Sequence, residues 1–117
     1  MGLSTHVLDT MHGTPAAGMR VTLYATEGDT LLQLKQFVLN QDGRNPGGLL
    51  LGATELQRGT YRLVFDVAAY FKACGVALPE PNFLNQVSLD FGVAAPEQHY
   101  HVPLLVSPWS YSTYRGS

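Results

Sequence analysis

Alternation with a period of two runs through most of this chain. Met19, Val21 and Leu23 alternate with Arg20, Thr22 and Tyr24, and Tyr61, Leu63 and Phe65 alternate with Arg62, Val64 and Asp66. Val87, Leu89, Phe91 and Val93 interleave with Gln86, Ser88, Asp90 and Gly92. Successive side chains of a strand point to opposite faces, so each run predicts a half-buried strand. A further strand is predicted over residues 98–106, with Tyr100, Val102, Leu104 and Val106 on its core side. Two more are predicted at 3–8 and 31–39. Residues 67–74, closed by Gly75 in the capping position, predict a single helix. Residues 49–56 read equally as a strand or as a short turn of helix.

Turn signals separate these runs: His12-Gly13-Thr14-Pro15, Glu27-Gly28-Asp29, Asn40-Gln41-Asp42-Gly43, Asn45-Pro46-Gly47-Gly48 and Arg58-Gly59. Short strands at such spacing predict an all-β sandwich or barrel. With 117 residues and no internal repeat or linker, the chain reads as one domain over 1–117. A chain of this size buries enough surface to dispense with metal or disulfide staples.

Composition narrows the functional classes. Only 14% of residues are charged and the net charge is −2, so no basic stripe is available for nucleic acid or an anionic membrane. Sparse charge on a small domain also suggests a surface covered by other subunits. Cys74 stands alone and falls in an apolar helical stretch, which predicts a buried small hydrophobe. No basic-then-apolar leader and no bilayer-length apolar run is present, and the expected location is cytoplasmic.

The candidate chemistry lies in histidine and arginine. On the 98–106 strand, alternation sends His99, His101, Pro103 and Leu105 to the face opposite the core. A surface strand with incidental histidines accounts for that pattern about as well as a site does. A metal shared by His99 and His101 needs a further ligand, which no Cys, His or carboxylate spacing elsewhere supplies. His6, where a strand runs toward a loop, and Arg44, in the Asp42-Gly43-Arg44 turn, are further candidates. Read singly, they would be a satisfied histidine and a solvated arginine. Serine-nucleophile elbows and phosphate-binding glycine loops are missing from the sequence. What remains suits acid–base hydrolysis of a polarised carbonyl, with water as the nucleophile. The aromatic and cationic tail Tyr114-Arg115-Gly116-Ser117 is expected to be docked rather than frayed.

Taken together, the Leu3-Ser4-Thr5-His6-Val7-Leu8-Asp9 segment, the Asp42-Gly43-Arg44 turn, Gly59-Thr60-Tyr61-Arg62-Leu63, His99-Tyr100-His101-Val102-Pro103-Leu104-Leu105 and the Tyr114-Arg115-Gly116-Ser117 tail resemble the 5-hydroxyisourate hydrolases. These are transthyretin-related enzymes of purine catabolism. The resemblance implies an all-β, transthyretin-like two-sheet β-sandwich with one short α-helix. It also implies a homotetramer with sites in the channel between dimers, no cofactor, and conversion of 5-hydroxyisourate to 2-oxo-4-hydroxy-4-carboxy-5-ureidoimidazoline. Residue by residue it assigns catalytic roles to His6, Arg44, His101 and Ser117. Substrate binding falls to His6, Arg44, Tyr114, Arg115 and Gly116, with His99 beside them. Either His6 or His101 would be the general base. The alternative is a non-enzymatic carrier of a small ligand in the same inter-dimer channel.

Overall fold

Each alternating run of the sequence becomes a strand in one of two sheets. The computed structural model describes residues 1–116. In chain order the elements are β1 (Gly2–Asp9), β2 (Thr14–Pro15), β3 (Arg20–Glu27), β4 (Thr30–Val38) and β5 (Leu51–Gly52). They continue with β6 (Gly59–Phe65), α1 (Val67–Ala73), β7 (Val87–Val93), β8 (Tyr100–Val106) and β9 (Tyr111–Thr113). One sheet has the order β2-β1-β8-β9, with β5 paired to β1; the other has the order β4-β3-β6-β7. Among the described residues the result is an all-β, two-sheet β-sandwich with one short helix.

The apolar positions of the alternating runs meet between the sheets. Leu3, Val7, Leu104 and Val106 come from the first sheet, and Val21, Leu23, Leu63, Phe65 and Val87 from the second; all are essentially inaccessible. Burying one such side chain contributes about 1.5–3 kcal/mol before the entropy of ordering is subtracted. Thr5 also faces inward and satisfies its hydroxyl by donating to the Val102 carbonyl at 2.7 Å. Edge strand β4 is almost wholly exposed, which explains why its stretch shows no clean alternation.

One connection matters most for the site. β1 and β8 lie side by side in parallel, with Ser4 opposite His101 and His6 opposite Pro103. Neighbouring strands in the sequence do not reveal this pairing, because some ninety residues separate the two.

The helix ends as Gly75 predicts. Gly75 has φ +88°, its N–H reaches the Lys72 carbonyl, and Val76 N–H reaches that of Phe71, both at 3.0 Å. Cys74 differs from expectation: it is exposed, not buried. The inward positions Val67, Ala68, Tyr70 and Phe71 are covered, but the helix proper stops at Ala73 and Cys74 occupies the C-cap. The ambiguous stretch 49–56 resolves into the two-residue strand β5 followed by a turn, in which Glu55 Oε1 accepts from Gly52 N–H at 2.9 Å.

Candidate active site

Alternation along β1 leaves Ser4, His6 and Leu8 on the outward face of the first sheet, while Leu3, Thr5 and Val7 enter the core. The same rule on β8 turns His101 outward beside them, and His99 lies two residues earlier on that side. The parallel register then brings Ser4 against both imidazoles. Its Oγ lies 2.7 Å from His101 Nδ1 and 3.1 Å from His99 Nε2. All four side chains, Ser4, His6, His99 and His101, are half-buried.

Arg44 reaches this face from a turn fastened to β1. Asn40 Oδ1 accepts from the N–H groups of Asp42 and Arg44, at 2.9 and 3.1 Å. The Gly43 carbonyl accepts from Val7 N–H at 3.0 Å, tying the turn to the strand one residue beyond His6. Gly43 has φ +72°, and a Cβ there would stand 2.6 Å from the Val7 carbonyl oxygen. Only glycine satisfies both the conformation and the close approach.

Arg44 is itself exposed, yet its charge is felt by both imidazoles. The His6 pKa lies below the ordinary histidine value, first through burial and then through the Arg44 guanidinium; the Asp42 backbone and carboxylate offset part of this. The His101 pKa is also lowered, by burial, then Arg44, then His6 and His99. Burial and nearby cations both disfavour imidazolium, so the two rings are held as neutral bases near neutral pH.

The tail docks against the same strand. Gly116 N–H donates to the His101 carbonyl at 2.8 Å in an isolated antiparallel bridge. A Cβ at Gly116 would fall 2.6 Å from His101 Cδ2. The imidazole is thus held between the Ser4 hydroxyl at Nδ1 and the bare backbone of Gly116 at Cδ2.

The structure gathers His6, His99, His101, Arg44 and Gly116, but not every candidate. The Arg115 guanidinium stacks on the Tyr100 ring, 4.1 Å from its centroid, and donates to Gln98 Oε1 and the His99 carbonyl. Tyr100 faces the core, opposite to His101, so in the single chain this cation is directed away from the imidazoles. Tyr114 is 61% exposed and, with Arg115, lines a groove of about 390 Å³ between β7 and the β8–β9 edge. Ser117 lies outside the described residues. Ser4 was not among the candidates. Its place on the outward face was legible two residues before His6, but its partner strand was not.

Neutral imidazoles able to take a proton, a permanently charged fork beside them and a half-buried polar floor suit proton transfer and stabilisation of an oxyanion. Fold and face together define a transthyretin-like sandwich whose outer sheet surface is polar and basic. The chain belongs to the HIUase/Transthyretin family, whose model matches residues 3–116. It is 51% identical over 115 residues to a 5-hydroxyisourate hydrolase of Pseudomonas aeruginosa, covering 98% of this chain and 90% of that one. Among solved structures, it superposes on an (S)-allantoin synthase with TM-score 0.93 and 45% identity, covering 99% of this chain and 43% of that longer chain. Sea bream transthyretin, solved with thyroxine, is 28% identical with TM-score 0.85, covering 99% of this chain and 95% of that one.

Proposed function

We propose that residues 1–117 form one catalytic domain that hydrolyses 5-hydroxyisourate to 2-oxo-4-hydroxy-4-carboxy-5-ureidoimidazoline. The observation that carries this reading is the outward face of β1 and β8, where Ser4, His99 and His101 are hydrogen-bonded and Arg44 lowers the pKa of His6 and His101. Relatives at about half identity bear the name of that hydrolase, whereas the transthyretin with bound thyroxine is 28% identical. A carrier channel for an apolar ligand has no use for three imidazoles and a guanidinium on its wall.

In the reaction, water attacks a ring carbonyl carbon of the substrate. A neutral imidazole, His101 or His6, takes the proton from that water as the C–O bond forms. The π pair moves onto the carbonyl oxygen, where the Arg44 fork stabilises it and orients the flat, oxygen-rich ring. The oxyanion pair then re-forms the carbonyl as the ring C–N bond breaks, its pair leaves on nitrogen, and the same proton passes to that departing nitrogen. Gly116 keeps the tail against His101, and the chain works as a homotetramer whose dimers face each other across these sheet surfaces. The reaction requires no cofactor, and the working location is the cytoplasm.

The test is direct. Urate oxidase and urate generate 5-hydroxyisourate in the cuvette, and its ultraviolet band is followed with and without this protein. Acceleration in proportion to protein concentration supports the reading; decay at the spontaneous rate removes it.

A further inference from the structure

The contact of Ser4 with two imidazoles constrains where their protons lie. A hydroxyl carries one proton and two lone pairs, and a neutral imidazole carries one N–H and one lone pair. Ser4 Oγ faces His101 Nδ1 at 2.7 Å and His99 Nε2 at 3.1 Å. It can donate to only one of them, so the other nitrogen must donate to it. Two arrangements satisfy both bonds. In one, His101 Nδ1–H donates to Oγ and Oγ–H donates to His99 Nε2, leaving His101 Nε2 with a free lone pair. In the other the directions reverse, and His101 Nε2 carries a proton and cannot act as a base.

We propose that Ser4 is a positioning residue that holds His101 with its proton on Nδ1 and its lone pair on Nε2, and links it to His99. This inference rests on the hydrolase reading above and deepens it. Gly116 contributes by packing its backbone against the Cδ2 edge of the same ring, where a Cβ would stand 2.6 Å away. The link also answers a problem of charge. When His101 Nε2 takes the proton from water, an imidazolium forms close to the Arg44 guanidinium, whose fixed charge opposes it. Transfer of Nδ1–H to Oγ, with transfer of the Oγ proton to His99 Nε2, moves the positive charge onto His99 and leaves His101 neutral. One proton has left water and one has arrived at His99. The reverse transfer returns a proton through His101 Nε2 to the departing ring nitrogen.

The experiment has two arms on the full-length protein. Two-bond proton–nitrogen NMR of the ligand-free protein reads the tautomers of His99 and His101. Both rings are expected as the Nδ1–H form in the parent, and His101 is expected to shift toward Nε2–H in Ser4→Ala. An Nε2–H His101 in the parent overturns the proposal, whatever the substrate proves to be. In the 5-hydroxyisourate assay, Ser4→Ala is expected to lose about ten- to a hundredfold in kcat, part of the roughly 10²–10⁴ that a general base supplies. KM is expected to stay within about twofold, because the loss falls on the transition state. Ser4→Thr, which keeps the hydroxyl, should restore both tautomer and rate. Parent-like kcat in Ser4→Ala, or no rescue by threonine in a folded protein, overturns it; failure of the parent to turn over substrate sinks only the hydrolase reading.

Discussion

Gly116 and His101 pack so closely that a methyl group on the glycine would fall 2.6 Å from the Cδ2 atom of the ring. That contact joins the carboxy-terminal tail to the imidazole through backbone alone. Gly116→Ala must push aside either the ring or the tail. A misplacement of about 1 Å at a catalytic group can cost roughly a hundredfold in rate. The expected outcome is a folded protein with kcat/KM reduced at least tenfold, on the order of that cost, checked by kinetics beside a thermal melt. Parent-like turnover would show that the tail does not position His101.

Arg44 is expected to act on charge rather than on folding, since its side chain is exposed and forms none of the core. Arg44→Ala should keep the fold while losing about 3–4 kcal/mol of transition-state stabilisation, roughly a hundredfold to a thousandfold in rate. Stopped-flow decay of 5-hydroxyisourate measures this, and a loss below threefold would remove the guanidinium from the mechanism.

The same substitution has a signature in pH. Burial and Arg44 together hold the His6 and His101 pKa values below the ordinary histidine value, with Asp42 opposing at His6 and the neighbouring histidines adding at His101. A base must be unprotonated, so activity falls on the acid side only below that lowered value. In Arg44→Ala, one cause of the depression is gone. Both pKa values should rise, without fully recovering while burial persists, and the acid limb of kcat/KM should move to higher pH. Titration of the imidazole C–H resonances checks it independently of turnover.

Gly43 sets where the arginine stands. Alanine at φ +72° is strained, and its Cβ would also meet the Val7 carbonyl at 2.6 Å. Gly43→Ala should cost more than the roughly 1–2 kcal/mol of left-handed strain alone, measured by urea unfolding. The turn should detach from β1, so activity should fall together with stability.

Beneath the site, Asp9 is fully buried at the end of β1 and accepts from Tyr70 Oη at 2.7 Å, His12 Nδ1 at 2.6 Å and His12 N–H at 3.0 Å. Burial alone would raise its pKa, but the hydrogen bonds from His12 and Tyr70 outweigh it and the net direction is downward. A carboxylate whose folded pKa is depressed stabilises the fold above its unfolded value of about 4. That contribution fades as pH falls through the lower folded value. Tyr70→Phe removes one donor and should cost about 1–3 kcal/mol at neutral pH. Its acid unfolding should begin at higher pH than the parent's. Denaturant titrations at neutral and acidic pH would show the difference, and equal acid midpoints would argue against the role of the tyrosine.

Much of this architecture is legible in the sequence because alternation reports burial directly. Met19, Val21 and Leu23, or Tyr61, Leu63 and Phe65, could serve one sheet face only, and the helix ends where Gly75 says it must. The site was half legible for the same reason: alternation turned His99 and His101 outward. What alternation cannot carry is which strands are neighbours. The parallel pairing of β1 with β8 sets Ser4 against two imidazoles, and nothing near Ser4 in the chain announces it. Strands as short as β2 and β9 offer too few residues for a period. Cys74 continued an apolar helical stripe, yet the helix ended before it. Arg115 is taken up instead by the Tyr100 ring, Gln98 and the His99 carbonyl, partners set by packing across the sheet.

The convergence of His6, His101 and Arg44 on one sheet face is tested most directly by comparing the parent with His101→Ala on freshly generated 5-hydroxyisourate. Both should show the same circular dichroism and sedimentation. The parent should accelerate decay of the substrate in proportion to its concentration, and the variant should lose most of that acceleration. Equal rates in the two folded proteins would contradict the assignment of this face as the place of hydrolysis.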